Sequence, residues 1–198
     1  METQNIVICG VGGQGNILAS DILSYVFFKT DFDVKKSEIH GMSQRNGSVI
    51  SFIRFGEKVY SPIIPKKKAD FFISFEKLEA LRYIDYVNSN TVVIINNLEI
   101  NPLPVELKLT EYPKNIENLF YSFNSNTYLI DTIPIAKELG NLKIINIVLL
   151  GFLSNFISYI DRNTWIKSIS KFIKPHFLDL NLKAFDLGKN LIENYKKV

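Results

Sequence analysis

The feature that most narrows what this chain can fold into lies in its first thirty residues. Asn5-Ile6-Val7-Ile8-Cys9 is a short, apolar, β-branched run that leads directly into Gly10-Val11-Gly12-Gly13-Gln14-Gly15. Residues 16–29 then place Ile17, Leu18, Ile22, Leu23, Val26 and Phe27 at helical spacing. These segments read as a buried strand, a glycine-rich turn and a helix. The turn satisfies G-x-G-x-x-G in the context that gives the pattern meaning, after a strand and opening a helix. Glycine tolerates φ > 0 and lets backbone amides approach an anion. The helix start adds unpaired N–H groups and a partial positive charge. A pyrophosphate suits such a loop; the competing reading is that the glycines only allow close packing of strand on helix.

The remaining chain alternates in the same way. Residues 33–37, 47–55, 69–75, 91–95 and 127–130 read as strands, and residues 76–83 and 116–123 as helices. Gly56-Glu57 looks like the tip of a hairpin into Val59-Tyr60-Ser61, ended by Pro62 and Pro65 because proline cannot continue a ladder. Residues 105–109 read as a short edge strand. Asp131 or Thr132 caps the next helix, with Pro134 in its first turn and Gly140 at its end. From residue 142 the chain is helical: 144–160 is apolar almost all round and so buried, followed by 164–172 and an amphipathic 179–197. Alternating strands and helices predict an α/β, Rossmann-like fold, and the hairpin predicts a mixed sheet. The expectation is a single domain over 1–198, with an α/β sheet part (1–140) and a helical part (141–198).

Composition excludes several classes. The single cysteine, Cys9, rules out an internal disulfide, and an iron–sulfur cluster needs about four thiolates. His40 and His176 lie far apart without ligand-like companions, which argues against structural zinc. The net charge is +3, and the basic runs Lys66-Lys67-Lys68 and Lys196-Lys197 lack interleaved aromatics, so nucleic-acid binding is not expected. The polar start reads as no leader, and the longest apolar stretch is broken by Asn146, Gly151, Ser154 and Asn155. A soluble, cytoplasmic protein with no membrane partner is the expectation.

A second dense segment follows the second strand: Lys36-Ser37-Glu38-Ile39-His40-Gly41-Met42-Ser43-Gln44-Arg45-Asn46-Gly47-Ser48. A dinucleotide-binding fold places a ribose-binding acid about 20 residues beyond the loop. Only Glu38 is available for that, and Lys35-Lys36-Ser37 suits a phosphate better. Arg45 has the geometry for bidentate bonds to a phosphate or carboxylate. His40 reads first as a loop-fixing residue bonded to Glu38 or a carbonyl, since no triad partner is spaced for it. A free-standing NAD- or FAD-binding oxidoreductase and a purely structural scaffold stay open as alternatives.

Taken together, Gly10 to Gly15, Ser37 to Val49, Val59-Tyr60-Ser61-Pro62, Glu138-Leu139-Gly140-Asn141 and the stretch from Asn181 to Gly188 resemble the gamma-type domain of 2-oxoacid:ferredoxin oxidoreductases, nearest those of the indolepyruvate type. The resemblance covers nearly the whole chain. It implies a subunit with no complete catalytic centre of its own, supporting coenzyme A-dependent oxidative decarboxylation of a 2-oxoacid. Thiamine diphosphate and iron–sulfur clusters would lie on a larger partner subunit, with ferredoxin an indirect partner. It also implies a coenzyme A site formed by Gly10, Gly12, Gly13, Gln14, Gly15 and Asn16 with the Lys36-Ser37 pair, and with His40 and Arg45 at its mouth or at an interface. The family pattern has Arg-Gly-Gly where this chain has Arg45-Asn46-Gly47; asparagine also tolerates φ > 0, so the turn is expected to survive.

Overall fold

The computed structural model describes residues 2–41 and 47–195. Six strands form one sheet in the order β2-β3-β1-β4-β5-β6. They are β1 (Gln4–Val11), β2 (Asp33–His40), β3 (Ser48–Gly56), β4 (Phe71–Ser74), β5 (Val92–Asn96) and β6 (Thr127–Ile130). β1 runs parallel to β4, as do β4 to β5 and β5 to β6, but β1 pairs with β3 in the antiparallel sense. The sheet is therefore mixed, and β1 is where its direction changes.

The helices are α1 (Asn16–Phe28), α2 (Lys77–Arg82), α3 (Leu103–Glu106), α4 (Ile116–Tyr121), α5 (Ile133–Glu138), α6 (Ile145–Leu153), α7 (Arg162–Phe172) and α8 (Pro175–Asn190). Strand alternation sends Ile6 and Ile8 to one face and Val7 and Cys9 to the other. Each face has its own core. Ile6 and Ile8 pack with residues of α1, α5, α6, α7 and α8, whereas Val7 and Cys9 pack with Phe52, Phe72, Ile95, Ala80 of α2 and Phe120 of α4. Burial on both sides explains why β1 and β4 read as continuous apolar runs. All nine residues of α6 are buried, so this helix is the inner member of the helical layer.

Four expectations change. The hairpin lies one strand earlier: β3 pairs antiparallel with β2, from Asp33↔Gly56 to His40↔Val49, and no strand occurs at residues 59–61. β2 continues past residue 37 to His40, because each of its residues finds a partner on β3. Residues 103–106 form the short helix α3, not part of an edge strand; Pro104 falls in its first turn, where the missing N–H costs nothing. The long apolar helix stops at Leu153 and tightens into a 3-10 turn over Ser154–Phe156. There the Asn155 side chain donates to the carbonyls of Phe152 and Lys189, at 3.0 and 2.9 Å, and satisfies the helix end. Among the described residues no helix is long and apolar enough to cross a membrane.

Candidate functional site

β1, β4, β5 and β6 all end on the same edge, and the glycine loop stands there between β1 and α1. Gly13 and Gly15 take φ of +101° and +84°, conformations that a side chain resists. The loop is braced from within. Gln14 accepts the Val11 amide at 2.7 Å and donates to the Phe75 carbonyl at 3.0 Å, so it ties the loop to the end of β4. Gly10 makes room for this: a Cβ there would fall 2.8 Å from Gln14 Oε1, 2.8 Å from Asn16 Oδ1 and 2.9 Å from Phe75 Cβ. Asn146 of α6 sits beneath the loop and donates to the Gly15 carbonyl at 3.4 Å. The loop is tied outward as well, since the Gly12 amide donates to the Gly47 carbonyl at 2.8 Å.

These bonds decide which amides remain for a ligand. Val11, Gly12 and Gln14 are spent inside the protein, whereas the amides of Gly13, Gly15, Asn16, Ile17 and Leu18 have no acceptor among the described residues. Three of them belong to the first turn of α1, where the helix carries its partial positive charge. They open on a cleft of about 650 Å³ whose lining includes Gly12, Gly13, Gly15, Asn16, Asp21 and His40. The Asn16 carboxamide is a further unpaired group: the residue is 3% exposed, and its Oδ1 and Nδ2 have no hydrogen-bond partner among the described residues.

The lysine-serine pair does not meet this cleft as a pair. Both residues lie within β2, so their side chains leave opposite faces of the sheet. Ser37 stands opposite Phe52, which belongs to the core on the α2 face. Lys36 points to the α1 face, where its Nζ is held by Asp21, by Glu38 Oε1 at 2.7 Å and, at 3.5 Å, by Ser20 Oγ. Partial burial alone would lower the Lys36 ammonium; the hydrogen bonds and charges of Asp21 and Glu38 outweigh it and hold it above the ordinary lysine value. The same contacts occupy Glu38, which also accepts Ser20 Oγ at 3.0 Å and so is not a free ribose anchor. His40 lines the cleft mouth, exposed, with Nδ1 3.4 Å from the Gly41 carbonyl. Arg45 and the Asn46 turn position lie outside the described residues.

Sequence reasoning missed three residues that shape this region. Asp21 lines the cleft from the second turn of α1, and its being the one charged residue of that helix, four residues after Ile17, was the signal for it. Glu76 and Glu79, at the start of α2, are 1% and 4% exposed. Burial pushes the Glu76 carboxyl above the ordinary range, against hydrogen bonds from Tyr112 and the amides of Glu79 and Ile100. Cys9 is fully buried, and desolvation pushes its thiol well up, so it is not poised as a thiolate nucleophile or metal ligand. Among the described residues no three His, Cys, Asp or Glu side chains come together as a metal site.

A mixed sheet with helices on both faces, and a glycine loop at the edge where its parallel strands end, defines a Rossmann-like α/β protein. The family model for pyruvate ferredoxin/flavodoxin oxidoreductase matches residues 5–191, and the chain belongs to that family. It is 40% identical over 192 residues to the indolepyruvate oxidoreductase subunit IorB of Pyrococcus horikoshii, covering 95% of each chain. Among solved structures it resembles the gamma subunit of the keto/oxoacid ferredoxin oxidoreductase of Geobacter sulfurreducens. That match has a TM-score of 0.69 at 21% identity and covers 94% of this chain and 96% of that one. It also resembles the 2-oxoglutarate:ferredoxin oxidoreductase of Magnetococcus marinus, solved with 2-oxoglutarate, coenzyme A and succinyl-CoA bound. There the TM-score is 0.73 at 21% identity, and the match covers 100% of this chain but 32% of that one.

Proposed function

We propose that this chain is the small subunit of a cytoplasmic 2-oxoacid:ferredoxin oxidoreductase of the indolepyruvate type, acting as one domain over 1–198. In this reading a larger partner subunit carries thiamine diphosphate and the iron–sulfur clusters and passes electrons to ferredoxin. This chain supplies part of the coenzyme A site. The identity to relatives named as indolepyruvate oxidoreductase subunits supports the subunit role. The observation that carries the ligand is the set of amides of Gly13, Gly15, Asn16, Ile17 and Leu18, without an acceptor among the described residues, which open on a cleft large enough for a nucleotide-like anion.

The candidate residues divide by task. Gly13, Gly15 and Asn16 donate backbone amides to the pyrophosphate. Gly10, Gly12 and Gln14 hold the loop in shape, and His40 stands at the mouth. Lys36 reaches a phosphate only by leaving Asp21 and Glu38, so its contribution is secondary. Gly13 is the variant of choice, because a Cβ there meets no protein atom within 4 Å, yet at φ +101° it shifts the backbone that presents the loop's amides to the cleft. Calorimetry of the reconstituted complex is expected to show at least about tenfold weaker coenzyme A binding for Gly13→Ala, the loss of a single charge-assisted contact set. Unchanged affinity would overturn the ligand assignment, and NAD binding with similar affinity would favour the dinucleotide alternative.

A further inference from the structure

A buried carboxylate on the α2 face of the sheet binds Ser48, the neighbour of the residue whose carbonyl takes the Gly12 amide. Glu79 is 4% exposed. Its Oε2 accepts a hydrogen bond from Ser48 Oγ, and its Oε1 accepts one from Arg82 Nε at 3.0 Å. The Ser48 hydroxyl also lies 2.9 Å from the Tyr83 hydroxyl. Ser48 is the first residue of β3 and follows Gly47, whose carbonyl takes the Gly12 amide at 2.8 Å. The Ser48 carbonyl accepts the Gly41 amide at 3.2 Å, so both described ends of the β2–β3 connection meet at this point.

Taking a carboxylate out of water is costly unless donors replace the water, and packing alone would be served better by an apolar side chain. Here the replacing donor sits at a strand end whose register matters. β3 begins where β1 ends, with Ser48 opposite Val11, one residue before the loop's second glycine. A slip or rotation at Ser48 would turn the Gly47 carbonyl away from Gly12. The Gly12 amide would then be free to swing into the cleft and the loop would lose its outer tether.

We infer that Ser48 and Glu79 are positioning residues for the glycine loop: Glu79 fixes the Ser48 hydroxyl, and Ser48 fixes the Gly47 carbonyl against the Gly12 amide. The consequence for ligand binding rests on the coenzyme A reading above; the positioning itself does not. Neither residue touches the cleft, so both act through the loop.

Two measurements separate the claims: hydrogen exchange of the Gly12 amide in the full chain, and coenzyme A affinity of the reconstituted complex. Ser48→Ala is expected to speed Gly12 exchange and to weaken coenzyme A each by about three- to tenfold, the weight of one hydrogen bond. Ser48→Thr keeps the hydroxyl and should restore both. Ser154→Ala, a buried serine bonded to the Gly151 carbonyl far from the loop, should change neither. Should Ser48→Ala fail to fold, Tyr83→Phe and Glu79→Gln provide the same readouts with smaller expected increases. Gly12 exchange that stays at the wild-type rate in every folded variant would overturn the inference. Faster Gly12 exchange in a complex whose wild type binds no coenzyme A would uphold the positioning and reject the ligand.

Discussion

Lys36 shows how a residue's neighbours redefine it. In the sequence it stands beside Ser37 as half of a phosphate-binding pair. In the fold it is the hub of an ion cluster with Asp21 and Glu38, only a quarter exposed. Because its partners raise the ammonium's pKa above the unfolded value, the bound proton stabilises the fold. That stability is fully present below the ordinary lysine value and is lost as pH rises through the higher folded one. Lys36→Met is therefore expected to cost about 1 kcal/mol, the upper range for a pair that still sees solvent. The deficit should be constant from neutral pH up to the ordinary lysine value and shrink above it. Urea titrations of both proteins across that range measure it, and a deficit independent of pH would mean that lost packing, not charge, explains the effect. Part of this was legible: the run from Lys36 onward looks chemically dense, and within it Lys36 and Glu38 do form an ion cluster. What composition could not show is that Asp21 of α1 meets Lys36 across the fold, a contact between residues fifteen apart in sequence.

At the level of elements, the strands were readable because β-branched runs buried on both faces leave little else to form. The misplaced hairpin has a clear cause. Gly56-Glu57 and Asn46-Gly47 are both good turn sequences, and only pairing partners distinguish them; β2 supplies a partner for every residue of β3 from Val49 to Gly56, while Pro62 and Pro65 leave the stretch beyond without one. The helical layer has a tight point that sequence also hid. At the crossing of α6 and α8, a Cβ on Gly151 would fall on the Phe185 carbonyl, and one on Gly188 on the Val148 carbonyl. The two backbones touch there, so Gly188→Ala should destabilise by about 3 kcal/mol by forcing the helices apart. Gly140 provides the contrast. Its φ is +67° but a Cβ would meet nothing within 4 Å, so Gly140→Ala should cost only about 1 kcal/mol of backbone strain. Chemical denaturation of the two variants checks the order, and equal losses would show that the crossing can relax.

Over the whole molecule, the two cores give the cleft a rigid frame. The face of α1, α6 and α8 fixes the loop from below through Asn146, and the face of α2 and α4 carries the cluster around Glu79. The overall α/β plan and the position of the loop could be read in advance, because both follow from local pattern. The division of the loop's amides into spent and unspent could not, since the Gly12 amide is taken by the Gly47 carbonyl, and the Gln14 side chain that takes the Val11 amide is held by the Phe75 carbonyl, both remote from the loop in sequence. The cluster of Asp21, Lys36 and Glu38 has one more effect, on the rate at which a ligand arrives. The three side chains together carry one net negative charge beside the cleft, within a chain whose net charge is only +3. An approaching polyanion finds little attraction from this subunit, so its capture depends on diffusion and fit, with no electrostatic steering to speed it. Stopped-flow association of coenzyme A with the complex should therefore vary less than about twofold with ionic strength. Asp21→Asn should make association faster at low salt and slower as salt is added; a wild-type rate that already falls steeply with salt would show that attraction comes from elsewhere in the assembly.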